Sequence, residues 1–216
     1  MLDSDGERTT AGRGETPRRF LVAGLGNPGR AYANTPHNLG FLVVDRLAHR
    51  NGIRMSRTEA QAVAGTGAFA SAQVVLAKPQ TFMNLSGPAV RALLESNSMT
   101  ARNLVLVYDD LALPWTALRI RSKGSSGGHR GVESVIQSLG TTGFIRVRLG
   151  IHPGHPVSDG AKFVLTRFRR AQKKELEELV DYAAAAVESV VAEGVWKAMT
   201  RFNRRPRGAK SEEEEE

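Results

Sequence analysis

The stretch FLVAGLGNPG at residues 20–29 is an apolar run that ends in three glycines, spaced as Gly24-x-Gly26-x-x-Gly29. An apolar run followed by glycines predicts a short buried strand that ends in a tight turn. The same spacing also marks a dinucleotide-binding turn, so the first question is whether this loop holds a nucleotide.

The residues around the glycines argue against a nucleotide site. A dinucleotide fingerprint needs a helix that starts at the glycines and an acid at the end of the next strand, about 20 residues on. Here RAYANTPHN intervenes, Pro36 disfavours helix, and the nearest suitably spaced acid, Asp45, lies inside a predicted helix. We therefore interpret the glycines as a turn that lets the backbone approach a ligand closely. A dinucleotide-dependent enzyme is the weaker alternative.

Strand-like and helix-like segments alternate along the rest of the chain. The predicted strands are residues 19–25, 62–69, 73–77, 104–110, 117–121 and 144–151, and the predicted helices are 38–50, 85–94, 132–139, 171–192 and 195–202. In the first helix Phe41, Val44, Leu47 and Ala48 are expected to form the buried face. The alternation predicts an α/β fold, a three-layer α/β/α sandwich around a mixed, mostly parallel twisted sheet.

Length and composition indicate one folded unit. The 216 residues suit a single domain at 19–205, between a polar N-terminal extension at 1–18, expected to be disordered, and a flexible acidic tail at 206–216. No apolar run approaches the roughly 20 residues of a membrane span, and the N-terminus lacks the apolar core of a secretory signal. We therefore expect a cytoplasmic protein that does not enter membranes.

Two features of the composition narrow the classes of function. The chain has no cysteine, which excludes disulfides, thiolate metal sites and a cysteine nucleophile. Its net charge is +8 although the last five residues are all Glu. Such an excess of positive charge favours polyanionic partners, nucleic acid first.

Polar side chains follow the predicted strands where a ligand would bind. In open α/β sheets, ligands lie beyond the carboxyl ends of the strands. Asn27 follows the first strand, His37 comes ten residues later, and Asp109 ends another strand. An imidazole can accept a proton from water near neutral pH, and a carboxylate can orient it. Asp110 is the rival carboxylate, but adjacent strand residues face opposite ways, so only one of the two can reach the histidine.

Four longer stretches carry a family resemblance. GLGNPGRAYANTPHNLG, KPQTFMNLSG, VLVYDDLALP and KGSSGGHRG resemble, in this order, the signature stretches of bacterial peptidyl-tRNA hydrolases. The resemblance runs from about residue 19 to 205. It implies an enzyme that hydrolyses the ester between a peptide and the 3′ ribose of tRNA through general-base activation of water. It also implies that neither a metal nor a cofactor takes part, and that the enzyme works as a monomer.

The resemblance also implies roles for the residues at the sheet's rim. His37 would be the base and Asp109 its orienting partner. Asn27 would distinguish N-blocked peptidyl-tRNA from free aminoacyl-tRNA by accepting the peptide N–H. Asn84 would contact substrate and help place the water, although an Asn just before a predicted helix also fits an N-cap.

A second set of residues would contact the tRNA. It comprises Tyr32, Phe82 and Met83 at the 3′ end, His129 and Arg130 in the glycine-rich segment, and Arg121 and Arg148 on two alternating basic strands near the acceptor stem. Tyr32 and Phe82 could instead belong to the core, and the strand cations could simply be solvated. The pair of histidines in HPGH at 152–155 lacks further ligands at metal spacing, so no metal site is predicted.

One position departs from the family pattern. The family usually has Asn where this chain has Arg130; an amide both donates and accepts hydrogen bonds, whereas a guanidinium only donates. The departure gives some footing to an alternative, a non-catalytic RNA-binding relative with the same fold. The joint presence of Asn27, His37, Asn84 and Asp109 favours the enzyme, since binding alone needs no paired base and acid.

Overall fold

A seven-stranded sheet lies at the centre of this computed structural model, in which residues 18–203 are described. The strands are β1 (Arg18–Gly24), β2 (Arg57–Glu59), β3 (Ala62–Phe69), β4 (Ala72–Pro79), β5 (Leu104–Pro114), β6 (Leu118–Arg121) and β7 (Ile145–His152). Their order is β2-β3-β4-β1-β5-β7-β6. The four central strands β4, β1, β5 and β7 are parallel, whereas β2, β3 and β6 pair antiparallel with their neighbours.

Helices cover both faces of the sheet. The helices are α1 (Leu39–Arg50), α2 (Ser86–Ser96), α3 (Arg130–Leu139), α4 (Gly160–Val164), α5 (Lys173–Glu193) and α6 (Val195–Phe202). α1, α5 and α6 bury their apolar sides against one face of the sheet. α2 and α3 pack on the other face, around Leu21, Leu106 and Tyr108. This confirms the predicted three-layer α/β/α sandwich with a mixed, mostly parallel sheet.

The opening glycines allow α1 to approach β1. A Cβ atom on Gly24 would lie 2.1 Å from the carbonyl oxygen of Gly40, and one on Gly40 would lie 2.4 Å from the backbone nitrogen of Leu25. α1 begins only at Leu39, so the glycine turn does not open directly into a helix as a dinucleotide site requires. Gly24 therefore serves the close packing of a helix on a strand.

Some sequence-based expectations are corrected by the structure. Neither the three-residue strand β2 nor the five-residue helix α4 was predicted. In α1, Phe41 is only partly buried, because its ring covers Gly26; Val43 occupies the buried face instead. Leu39 and Gly40 complete that face at the start of the helix.

The described range bears on the predicted domain limits at one end only. Arg18 already belongs to β1, one residue before the expected start of the domain. The rest of the proposed N-terminal extension and the acidic tail at 206–216 lie outside the described residues. Within residues 18–203, no helix combines the length and apolarity that crossing a bilayer requires.

Candidate active site

A cleft opens where the central parallel strands end. Gly24 of β1 pairs with Val107 of β5, so the turn after β1 and the residues that follow Val107 emerge side by side. The cleft has a volume of about 560 Å³. Residues from several loops line it, among them Asn27, Tyr32, His37, Phe82, Asn84, Asp109, His129 and Arg130.

His37 and Asp109 meet at the floor of this cleft. His37 lies in a single 3₁₀ turn at Pro36–Asn38, directly before α1. Its Nδ1 atom lies 3.0 Å and 3.1 Å from the two carboxylate oxygens of Asp109. An ionised carboxylate only accepts hydrogen bonds, so Nδ1 must carry the proton. The Nε2 atom of neutral His37 then has a free lone pair, and it makes no hydrogen bond to the described residues.

His129 contacts the same carboxylate from the other side. Its Nε2 atom lies 3.1 Å from Oδ1 of Asp109. Its Nδ1 atom accepts hydrogen bonds from the backbone N–H groups of Gly131 and Val132, so His129 caps α3. Because Nδ1 accepts, the neutral ring carries its proton on Nε2 and donates it to Asp109. The sequence indicated His129 only as a substrate contact, and its bridging role was missed.

Asp109 is held as a carboxylate inside the protein. Its side chain is only 2% exposed, and such burial by itself raises a carboxyl pKa. Attraction and hydrogen bonding from His129, together with the hydrogen bond from His37, outweigh burial and hold the pKa of Asp109 well below its ordinary value. Asp109 therefore stays charged throughout the neutral pH range and fixes both rings.

The same three side chains are the one group in the described part of the chain with metal-ligand spacing. The ligand atoms of His37, Asp109 and His129 lie within 4.8 Å of one another. The two imidazole nitrogens that face the carboxylate both carry protons, however, for the reasons given above. A metal ion on Nε2 of His129 would have to displace its proton while Nδ1 still accepts two backbone N–H groups, which a neutral imidazole does not allow, so this donor set fits a hydrogen-bonded relay better than a metal site.

Asn27 is held rigidly by its neighbours. Its side-chain oxygen accepts the backbone N–H of Met83 at 2.7 Å. Its backbone forms two hydrogen bonds of 2.9 Å with the side chain of Asn38, a buried residue that sequence reasoning did not single out. The Asn27 NH₂ group therefore is the part available to the cleft. The structure thus favours donation by this side chain, whereas the sequence suggested that it accepts a peptide N–H.

Asn84 and its neighbours form one lip of the cleft. Asn84 is exposed inside the 3₁₀ turn Met83–Leu85 and makes no hydrogen bond to described residues, so the N-cap alternative is wrong. Phe82 is 58% exposed, and Tyr32 is half-buried on the opposite loop, so neither is a core residue. Met83 is only 4% exposed and belongs to the core. Met83 nevertheless lines the cleft, so its predicted contact with tRNA stays a prediction, and its backbone N–H positions Asn27.

The cations of β6 and β7 lie in different environments. Asp110 turns away from the histidines and accepts a hydrogen bond of 2.5 Å from Nε of Arg148. Arg146 is fully buried. Arg121 and the exposed Arg130 form no ion pair with described residues. Two of these strand cations were predicted to contact tRNA. Arg121 has no carboxylate partner among the described residues, whereas Arg148 is already paired with Asp110.

Comparisons with known proteins agree on one family. The family model described as Peptidyl-tRNA hydrolase matches residues 21–212. A peptidyl-tRNA hydrolase of Solibacter usitatus is 58% identical over 194 residues, which cover 90% of this chain and 99% of that protein. One from Koribacter versatilis is 46% identical, covering 86% and 93%. The crystal structure of peptidyl-tRNA hydrolase from Acinetobacter baumannii is similar with a TM-score of 0.79 and 30% identity, covering 85% of this chain and 94% of that one.

Proposed function

The chain belongs to the peptidyl-tRNA hydrolase family, and from this premise we propose that His37 activates water in the hydrolysis of peptidyl-tRNA. The observation that carries the proposal is the contact of 3.0 Å between Nδ1 of His37 and Asp109, which leaves Nε2 free in the cleft. The bond that breaks is the ester between the peptide carboxyl group and the 3′ oxygen of the terminal ribose. The products are a free peptide and a free tRNA.

The proton follows a short path in this reaction. Nε2 of His37 takes a proton from water while the water oxygen attacks the ester carbonyl carbon. Asp109 stabilises the imidazolium that forms, as the acid of a hydrolase triad does. When the tetrahedral intermediate collapses, the carbon–oxygen bond to the ribose breaks and the proton on Nε2 passes to the leaving 3′ oxygen. Water is consumed, and His37 returns to its starting state.

Two amides are suited to orient the substrate. The NH₂ group of Asn27 would donate to a carbonyl oxygen of the peptide. The free ammonium of an aminoacyl-tRNA has only donors and would meet this donor without a partner, which disfavours the unblocked substrate. The side chain of Asn84, the residue after Met83, has both a donor and an acceptor to spare for the attacking water or the ester.

The tRNA would bind through stacking and phosphate contacts. Phe82 and Tyr32 present aromatic surface on which the terminal adenine could stack. Arg130 and Arg121 would contact phosphates of the 3′ end and acceptor stem, with Arg148 and His129 adding to this surface. Phosphate contacts give affinity without reading sequence, which suits an enzyme that serves many tRNAs.

The proposed chemistry needs only one chain. Every side chain of the relay comes from the same domain, which supports a monomer. We place it in the cytoplasm because its substrate is a product of translation. Because no proposed step uses a metal or cofactor, activity should persist in chelator. Analytical ultracentrifugation at the concentration of the activity assay tests whether the protein is a monomer.

The decisive experiment compares N-acetylated with unacetylated aminoacyl-tRNA, with and without chelator. The wild-type protein should release tRNA from the acetylated substrate only. His37→Ala should bind tRNA and keep its circular dichroism spectrum but lose turnover by at least about a hundredfold, since a general base contributes 10²–10⁴ in rate. Full turnover by His37→Ala would refute the assigned base.

A further inference from the structure

The structure contains a buried cation that the proposed reaction does not use. Arg146 is the second residue of β7 and is 2% exposed. No described carboxylate forms an ion pair with it, and its Nε atom is buried without a hydrogen-bond partner. Burying an arginine without a counter-ion is unfavourable. The groups to which Arg146 donates hydrogen bonds therefore indicate what it stabilises.

The guanidinium group holds the glycine-rich segment 123–128 against the sheet. Nη1 donates to the carbonyl oxygen of Ser125 at 2.6 Å, and Nη2 donates to that of Thr142 at 3.2 Å. The group also lies over the ring of Phe144, 4.3 Å from its centre. Across residues 123–125, the bond to Ser125 is the one described hydrogen bond that ties the segment to the rest of the fold.

The anchored segment leads directly to the active site. Ser126, Gly127 and Gly128 line the cleft, and the backbone N–H of His129 donates to the carbonyl oxygen of Ser126 at 3.1 Å. Gly127 and Gly128 have φ angles of 59° and 81°, a region that favours glycine, and glycine restricts the backbone less than any other residue. The bond from Arg146 therefore lies four residues before the histidine that contacts Asp109.

A second route links Arg146 to the same histidine through Tyr108. Tyr108 is buried on the adjacent strand β5, with its ring edge-on to His129 at a centroid distance of 5.0 Å. Arg146 pairs with Leu106, two residues before Tyr108 on β5, so the side chains of Arg146 and Tyr108 lie on the same face of the sheet. Burial raises the pKa of Tyr108, and the nearby guanidinium opposes that rise. Arg146 thus supports both the segment before His129 and the ring against which His129 packs.

We propose that Arg146 is a positioning residue for hydrolysis, one that holds segment 123–128 and Tyr108 so that His129 keeps Asp109 in register with His37. The inference rests on the proposed function, since it assumes that the pairing of His37 with Asp109 drives turnover. Arg146 does not touch the substrate. Its effect should therefore appear in kcat and in the mobility of the segment, and hardly in KM.

The test uses Arg146→Met and Arg146→Lys in the full chain, with Val187→Ala on α5 as a control for lost core packing. Arg146→Met should lower kcat on the order of tenfold to a hundredfold, the effect of a small misplacement of catalytic groups. KM for N-acetyl-aminoacyl-tRNA should change by less than about threefold. Arg146→Lys keeps the positive charge and one donor group, so its kcat should lie between those of Arg146→Met and the wild type. Val187→Ala should lower the melting temperature and leave both constants unchanged.

Hydrogen exchange followed by mass spectrometry supplies the readout that separates positioning from general instability. Peptides covering 123–129 should exchange faster in both Arg146 variants and at the wild-type rate in Val187→Ala. A raised KM with normal kcat would overturn the inference, because it would place Arg146 in tRNA binding. If Arg146→Met fails to fold, Arg146→Lys alone tests the inference. Hydrogen exchange over 123–129 and kcat that both equal the wild-type values in Arg146→Lys would then overturn it. Activity retained by His37→Ala would instead sink the proposed function, so the two failures are distinguishable.

Discussion

A single carboxylate organises the residues of the cleft. Asp109 accepts hydrogen bonds from His37 and from His129, and both rings are thereby set in one tautomer. The two imidazoles lie 5.0 Å apart between ring centres, so neither can shift without disturbing the other. The base is therefore oriented by a shared acceptor, and a change at that acceptor should be felt at both rings.

Replacing that acceptor should abolish most turnover. In Asp109→Asn the amide presents one donor group, which would face a ring N–H that is also a donor, so His37 loses its orientation. We expect kcat to fall on the order of a hundredfold to ten-thousandfold with little change in KM. Steady-state kinetics on N-acetyl-aminoacyl-tRNA test this. Asp110→Asn, which removes the carboxylate facing Arg148, should keep kcat within about threefold, and an equal loss in both variants would contradict the assignment.

The same carboxylate should make stability depend on pH in a defined window. The pKa of Asp109 is lower in the folded protein than in the unfolded chain, where it is about 3.9. The stability that Asp109 contributes is therefore fully present above that unfolded pKa, and it is lost as pH falls through the lower folded pKa. The free energy of unfolding of Asp109→Asn should therefore lie about 1–3 kcal/mol below wild type at pH 7. That difference should narrow only below about pH 4.

Urea unfolding at pH 7, 5 and 3.5 measures this window. Asp181→Asn is the matched control: its carboxylate also has a lowered pKa, through Arg46, but lies on the surface. Exposed pairs contribute under about 1 kcal/mol, so this control should change little at any pH. If the difference in free energy of unfolding between wild type and Asp109→Asn disappeared between pH 7 and pH 5, the carboxyl group would not be held charged.

At the scale of elements, the base lies just before α1, and its position depends on how closely that helix approaches the sheet. The 3₁₀ turn with His37 leads directly into α1, and Gly40 brings that helix against the backbone of Leu25 and Val107. A Cβ atom at position 40 would lie 2.4 Å from the backbone nitrogen of Leu25 and from the carbonyl oxygen of Val107. Neither backbone atom can yield without moving a central strand.

Gly40→Ala should therefore destabilise the fold although alanine favours helix. Forced overpacking typically lowers the free energy of unfolding by about 1–3 kcal/mol, which outweighs the roughly 1 kcal/mol gained in helix propensity. Turnover should fall as well, since α1 and His37 would be pushed from Asp109. Urea unfolding and kcat check both effects. Gly143→Ala, at a site with more room, should lower the free energy of unfolding by less than about 0.5 kcal/mol. An equal loss of stability in the two variants would refute the packing argument.

Most elements could be predicted from sequence, and the exceptions have physical reasons. Buried central strands such as β1 and β5 read as apolar runs with turn residues behind them, and helices such as α1 show a 3.6-residue period. β2 has three polar edge residues, and α4 has five residues, so neither is long enough for a pattern to emerge. The pairing of His37 with Asp109 was expected from their places after two strands. The contact between His129 and Asp109 depends on how a glycine-rich segment folds, which no periodicity encodes.

At the scale of the whole molecule, the net charge of +8 has a structural counterpart at one edge of the sheet. β6 and β7 are antiparallel, with Arg119 opposite Arg148 and Arg121 opposite Arg146. Arg146 is buried and Arg148 pairs with Asp110. Arg119 and Arg121 form no ion pair with described residues, so these are the two cations of this edge that a bound polyanion would neutralise. Because Arg121 leads into segment 123–128, of which Ser126, Gly127 and Gly128 line the cleft, this edge suits the acceptor stem of a tRNA whose 3′ end enters the cleft.

The salt dependence of tRNA binding tests this arrangement. In the His37→Ala background, which prevents turnover, log K should fall linearly with log salt concentration. Adding Arg121→Ala should weaken binding and reduce the magnitude of the slope by about one, the signature of one lost phosphate contact. Lys174→Ala removes the same charge from the exposed side of α5, on the opposite face of the sheet, and should leave the slope unchanged. If both variants changed the slope alike, the protein would attract tRNA through its overall charge, and this edge would have no special part in binding.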